Sequence, residues 1–221
     1  MVRHHITSGI AARRRDEIRG TSHSPAKMGY ELSQISELVA QLVRELNAGG
    51  SNVGNALKPG VPRTLTSAMA SKFPYELTSE LLDLYEACNG LEERVGFDDF
   101  LIGFRLLQIE EAVGMYDYLM EQRGDPDDDY YRASWFPIMW SHSGGVKAVE
   151  CAPIETRGCI VDVDGESGNS IDFVSIDRML TTIIQCWKEG AFFADRHFVD
   201  IDSEKFGEIY ERLNPVIPDL E

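Results

Sequence analysis

Apolar side chains recur at steps of three and four residues in the first part of the chain, which is the spacing of one face of an α-helix. The first run predicts a helix that ends at Gly49-Gly50. Its apolar positions are Ile35, Leu38, Val39, Leu42, Val43 and Leu46. A second, short helix is predicted for residues 61–70. A third should begin at Phe73-Pro74, because proline fits the first turn of a helix, and should end at Asn89-Gly90.

From residue 100 onward the pattern takes on the character of a sheet. Residues 100–105 are predicted to form a strand, and Ile109–Gln122 a helix. Short apolar runs follow, separated by turns rich in glycine, serine and aspartate, at residues 135–140, 146–152, 158–163 and 170–174. Their connections are too short to hold crossover helices, so neighbouring strands should be antiparallel.

The last part of the chain is predicted to be helical again. Ser175 stands where it could cap a helix that ends near Gly190, and Asp202 stands where it could cap a final helix. Helices, then a meander of strands, then helices predict one α+β domain, with helices packed on a twisted antiparallel sheet. We assign this domain to residues 29–221. Residues 1–28 are basic and poor in large apolar side chains, which predicts a disordered N-terminal extension.

The charge is strongly unbalanced. The chain has 37 acidic residues against 21 lysines and arginines, a net charge of -16. Residues 1–28 carry +4, so residues 29–221 carry -20. Such a body should repel nucleic acid and anionic membranes and attract basic proteins. The alternative is that the negative charge only keeps the protein soluble.

Other compositional features point to a cytoplasmic protein. The four cysteines are scattered without a C-x-x-C pair, so we expect reduced, buried thiols. No apolar run approaches the roughly 20 residues that span a bilayer, and we expect no membrane contact.

Several short motifs occur in an order that resembles the SUKH superfamily, the Smi/Knr-like proteins. The resemblance covers residues 57–215 and includes Leu57-Lys58-Pro59-Gly60, Phe73-Pro74, Asn89-Gly90, Trp135-Phe136-Pro137-Ile138, Ser143-Gly144-Gly145, Ser175-Ile176 and Asn214-Pro215. The resemblance implies a SUKH-like α+β fold and a role in binding other proteins. Bacterial members are typically immunity proteins that neutralise toxins, and fungal members act as interaction hubs. The resemblance supplies no catalytic residues.

Two patterns that could indicate chemistry are better explained by structural roles, the first of them as a hairpin turn. The sequence Asp162-x-Asp164-Gly165 suggests a calcium loop, but an EF-hand begun at Asp162 would need glycine and glutamate where Ser167 and Phe173 stand. Ser141-His142-Ser143 combines hydroxyls with an imidazole, but adjacent strand residues point to opposite faces. We therefore predict no catalytic residue, no metal site and no cofactor.

The segment 125–131 is the candidate partner-binding site. It combines carboxylates, which would steer a basic protein, with tyrosines, which often anchor interfaces. The candidate residues are Asp125, Asp127, Asp128, Asp129, Tyr130 and Tyr131. The alternative is a solvated loop whose tyrosines fold back on the core.

The favoured hypothesis is an immunity-type protein that blocks a basic toxin, for example a nuclease, by stoichiometric binding. A regulatory scaffold of the same fold is the second hypothesis, and an enzyme of unrecognised type is the third.

Overall fold

The structure is a computed structural model that describes residues 32–92, 100–101, 103–123, 130–152, 155–163, 168–195 and 198–215. Contacts between Cα atoms group the chain from Leu32 to Glu221 into one unit. The predicted extension, residues 1–28, lies outside the described residues.

Helices and strands are mixed along the described chain, which confirms the α+β class. In chain order they are α1 (Gln34–Ala48), α2 (Val53–Ala56), β1 (Leu57–Pro59), α3 (Arg63–Met69), α4 (Ser79–Ala87), β2 (Cys88–Leu91), β3 (Phe104–Leu106), α5 (Ile109–Gln122), β4 (Trp135–Ser141), β5 (Val146–Glu150), β6 (Ile160–Val163), β7 (Ser170–Phe173), α6 (Ile176–Glu189), β8 (Phe192–Asp195), β9 (Phe198–Ile201) and α7 (Ser203–Leu213).

The main sheet of the described region has the strand order β3-β4-β5-β6-β7, and each neighbouring pair is antiparallel. This confirms the antiparallel meander that the short connections predict. Alternation along β5 sends successive side chains to opposite faces of the sheet. The register of the β5–β6 pair places Lys147 directly opposite Asp162 of β6.

Three helices pack together through their apolar stripes. Helix α1 contacts α4 and α6, and it buries Ile35, Val39, Leu42 and Leu46, one per turn or so of the helix. Side-chain caps define where the helices begin. Ser175 accepts a hydrogen bond from the Arg178 amide and Asp202 accepts one from the Lys205 amide, so both predicted caps are confirmed.

The predicted start of the third helix is wrong, while its end, at Ala87 with Cys88 as the C-cap, falls just before Asn89-Gly90 as predicted. Helix α4 begins at Ser79, not at Phe73-Pro74, because Thr78 caps it by accepting a hydrogen bond from the Leu81 amide at 3.3 Å. The Asn89-Gly90 pair lies in strand β2, which pairs with β1.

Tertiary contacts explain the position of the Asn89-Gly90 pair. The Asn89 side chain accepts a hydrogen bond from the Ile109 amide at 2.9 Å, at the start of α5. Gly90 has a φ of 68°, and a Cβ there would lie 2.5 Å from backbone atoms of Leu107 and Gln108. Glycine is therefore needed for the close approach of the two segments.

A hairpin near the C-terminus was not predicted from the sequence. Helix α6 ends at Gly190, which has a left-handed φ of 73°, as its position predicts. Strands β8 and β9 then form an antiparallel pair before α7.

Candidate partner-binding site

Tyr131, the last residue of the predicted binding segment, is buried completely and lies shortly before strand β4. Its hydroxyl donates a hydrogen bond to the Trp135 carbonyl at 2.6 Å. Its ring meets the Trp135 ring edge-on, with centroids 5.8 Å apart. Burial raises the pKa of the Tyr131 phenol well above its ordinary value, so the hydroxyl stays protonated and donates.

The hypothesis that Tyr131 itself contacts a partner is therefore corrected. A side chain with no exposed surface cannot meet another protein without unfolding its surroundings. Tyr131 matches the alternative interpretation, in which a tyrosine folds back on the core. Its role in this structure is to support the segment from inside.

Tyr130, its neighbour, is exposed to 41% of its full surface. The Tyr130 carbonyl accepts a hydrogen bond from the Asn169 side-chain amide at 3.1 Å. This contact ties the backbone of Tyr130 to the residues just before β7. Asp125, Asp127, Asp128 and Asp129 lie outside the described residues.

The buried contacts of Tyr131 extend through Trp135 to a buried carboxylate. Glu150 has no exposed surface, and it accepts hydrogen bonds from the Trp135 indole at 2.9 Å and the Ala152 amide at 2.8 Å. Burying a carboxylate is costly unless donors satisfy it. Tyr131, Trp135 and Glu150 thus form one connected buried network. The sequence does not reveal Glu150, because its place opposite Trp135 depends on strand pairing.

A second feature is a cavity of about 300 Å³ between the main sheet and the C-terminal elements. The aromatic side chains that line it include Phe104, Phe173, Phe192, Phe206 and Tyr210. Phe192 and Phe206 are stacked with their centroids 5.7 Å apart. The Tyr210 hydroxyl donates to the Asp172 carbonyl, which is on the edge strand β7. We call this space the aromatic cavity.

The polar part of the aromatic cavity is formed by Lys147 and Asp172. The Lys147 side chain is only 6% exposed, and its ammonium lies 3.1 Å from an Asp162 oxygen and donates to the Asp172 carboxylate. The same ammonium lies 4.3 Å from the centre of the Phe104 ring. Burial raises the pKa of Asp172 above its ordinary value, and the nearby Lys147 opposes this change.

The patterns considered as chemistry have structural roles where they are described. The Ser141 hydroxyl lies 2.8 Å from that of Ser143 and accepts a hydrogen bond from the Gly145 amide, which shapes the turn between β4 and β5. Asp162 pairs with Lys147, while Asp164 lies outside the described residues. Within the described ranges, no group of three or more metal-binding side chains is assembled.

The four cysteines are buried and unpaired. Burial raises the pKa of the Cys88, Cys151 and Cys186 thiols to about 12. These thiols stay protonated at neutral pH and are therefore poor nucleophiles.

No protein-family model matches the chain, and a search of curated proteins gives no significant match. In the part of the chain that the structure describes, no helix combines the length and the apolar character needed to cross a membrane.

Proposed function

We propose that the chain is a SUKH-like protein-binding module of the cytoplasm that neutralises a basic toxin by stoichiometric binding. The proposal is supported by the order of motifs along residues 57–215 and by the net charge of -16. It requires no catalytic group. The toxin would be blocked because the module covers the basic surface that the toxin itself uses, as a nuclease uses lysines and arginines on nucleic acid.

The observation that carries the proposal is the exposed Tyr130, which adjoins the buried Tyr131 and accepts a hydrogen bond from Asn169 at its carbonyl. Tyrosine offers a large contact area and loses little conformational freedom on binding. The buried Tyr131, its neighbour in the chain, and the hydrogen bond from Asn169 to its carbonyl restrain the Tyr130 backbone before any partner arrives. An anchor that is already ordered costs less entropy on binding.

In the proposed function, the negative charge of the chain affects a different step of binding from Tyr130. Carboxylates around an anchor speed the encounter with a basic surface and orient it, without adding much to the final affinity. The acidic chain would therefore set the association rate, while Tyr130 would set the dissociation rate.

The proposal is tested by co-expression with the product of the neighbouring gene. We expect that product alone to stop growth of a bacterial host, and the full chain to restore growth. The Tyr130→Ala variant should restore growth less well at equal expression. Tyr118→Ala serves as the matched control, because Tyr118 is also exposed, at 56%, but lies on α5 outside the segment.

Two results would contradict the proposal. A neighbouring product that is harmless would favour the regulatory scaffold. A toxic product that this chain does not neutralise would exclude immunity against it.

A further inference from the structure

Lys147 and Asp172, which line the aromatic cavity, belong to a group of three charges that does not balance; the third, Asp162, pairs with Lys147 but does not line the cavity. Lys147 contributes one positive charge, and the two carboxylates paired with it, Asp162 and Asp172, contribute two negative charges. These three groups therefore carry a net charge of -1. Asp172 is largely removed from water, and this is why its ionised form is disfavoured. One additional positive charge near Asp172 would make the set neutral.

The aromatic rings that line the cavity also favour a cation. Aromatic rings carry negative charge on their faces and attract ammonium and guanidinium groups. The cavity already shows this contact once, where the Lys147 ammonium lies 4.3 Å from the centre of the Phe104 ring. The rings of Phe173, Phe206 and Tyr210 line the remaining space. An anion would be repelled by the net charge of the site and of the chain.

The size and polarity of the aromatic cavity narrow the range of possible ligands further. The cavity, at about 300 Å³, is at the lower end of the range for ligand sites. It suits a single side chain. Lysine and arginine side chains have an apolar stem and a charged end, and so they match apolar walls with a carboxylate at one side.

We propose that the aromatic cavity receives a lysine or arginine side chain of the basic partner, whose charged end lies next to Asp172. This inference rests on the proposed function, because it names the part of the partner that the module recognises. It adds a second contact, on the face of the sheet covered by β8, β9 and α7, to the one at Tyr130.

The test is a titration of the full chain with n-butylammonium, followed by NMR of the aromatic side chains at constant ionic strength. We expect saturable shifts at Phe173 and Tyr210. The neutral analogue 1-butanol, which replaces the ammonium by a hydroxyl, should bind at least fivefold more weakly because it lacks the charge.

Two variants, each with a control, test the contribution of the Asp172 charge separately from that of the aromatic rings. Asp172→Asn should reduce n-butylammonium affinity by roughly tenfold, while Asp117→Asn, an exposed carboxylate on α5, should leave it unchanged. Phe206→Leu keeps an apolar wall but removes a ring, and it should weaken binding by roughly threefold. Phe193→Leu on β8 is its control, because Phe193 is 44% exposed and does not line the cavity.

Equal binding of 1-butanol and n-butylammonium would overturn the assignment to cations. The absence of shifts at Phe173 and Tyr210 would overturn the site itself. These results do not depend on whether a toxin exists, so they are distinct from failure of the proposed function. If the partner is known and Asp172→Asn binds it with unchanged affinity, the partner's side chain does not enter the cavity, although the module still binds.

Discussion

Tyr130 and Tyr131 are adjacent in the chain but have opposite environments. Tyr131 has no exposed surface, and its hydroxyl is held by the Trp135 carbonyl. Tyr130 presents 41% of its surface to solvent. Tyr131 therefore contributes to the core, and recognition is the role that we propose for Tyr130. This separation makes the two roles experimentally independent.

Removal of the two hydroxyls should have unequal effects on stability. Tyr131→Phe should lower the free energy of unfolding by about 1–2 kcal/mol, because it leaves the Trp135 carbonyl without its donor inside the core. Tyr130→Phe should change it by less than about 0.5 kcal/mol, since solvent reaches this side chain. Urea denaturation of both variants measures the difference. Equal losses would show that Tyr131 does not support the segment in this way.

At the scale of elements, a residue from helix α4 accepts hydrogen bonds from the first amides of helix α6. The Glu80 carboxylate, in the first turn of α4, accepts hydrogen bonds from the Ile176 amide at 2.9 Å and the Asp177 amide at 3.3 Å. Burial raises the pKa of Glu80 above its ordinary value of 4.5, and the two amides partly oppose the increase. The folded protein therefore binds a proton at Glu80 more readily than the unfolded chain does.

The Glu80→Gln variant should change the pH dependence of stability. The stabilising contribution of Glu80 is complete below pH 4.5 and is lost as the pH rises through the raised pKa. Glutamine does not titrate, so this loss is absent in the variant. The unfolding free energy of Glu80→Gln minus that of the wild type should thus increase as the pH rises from about 4 to about 7. A difference that stays constant or decreases would contradict the burial of Glu80.

Elements with a strong local pattern were predictable from the sequence. Helix α5 has the predicted bounds, Ile109–Gln122, because its apolar spacing is regular. The strands from β4 to β7 lie where short apolar runs alternate with turns. Local periodicity and turn residues are properties of the sequence itself, and they suffice for such elements.

Elements that depend on distant partners were not predictable. Strands β1 and β2 are 3 and 4 residues long and are defined by pairing with each other. The candidate site likewise has a part that the sequence predicts and a part that depends on distant contacts. A tyrosine cluster in an acidic segment is visible in the sequence, but the burial of Tyr131 depends on the space beside Trp135. The aromatic cavity combines Lys147 with residues of β7 and α7, a grouping that only the fold produces.

At the scale of the whole molecule, the acidic charge and the two candidate contacts form one account of binding. The net charge of -16 acts at long range and is screened beyond about 8–10 Å near physiological salt. In the proposed complex, Tyr130 and the aromatic cavity would act only at contact. Long-range steering would therefore affect the rate of association, and the contacts would affect the rate of dissociation.

The most direct test is the association rate of the full chain with the purified product of the neighbouring gene, measured by stopped flow from low to high salt. We expect a 1:1 complex whose association rate falls at least tenfold as screening increases. Replacement of Asp127, Asp128 and Asp129 by asparagine should lower the rate at low salt, and Tyr130→Ala should raise the dissociation rate by roughly tenfold. An association rate that does not depend on salt, or the absence of a complex, would contradict the account.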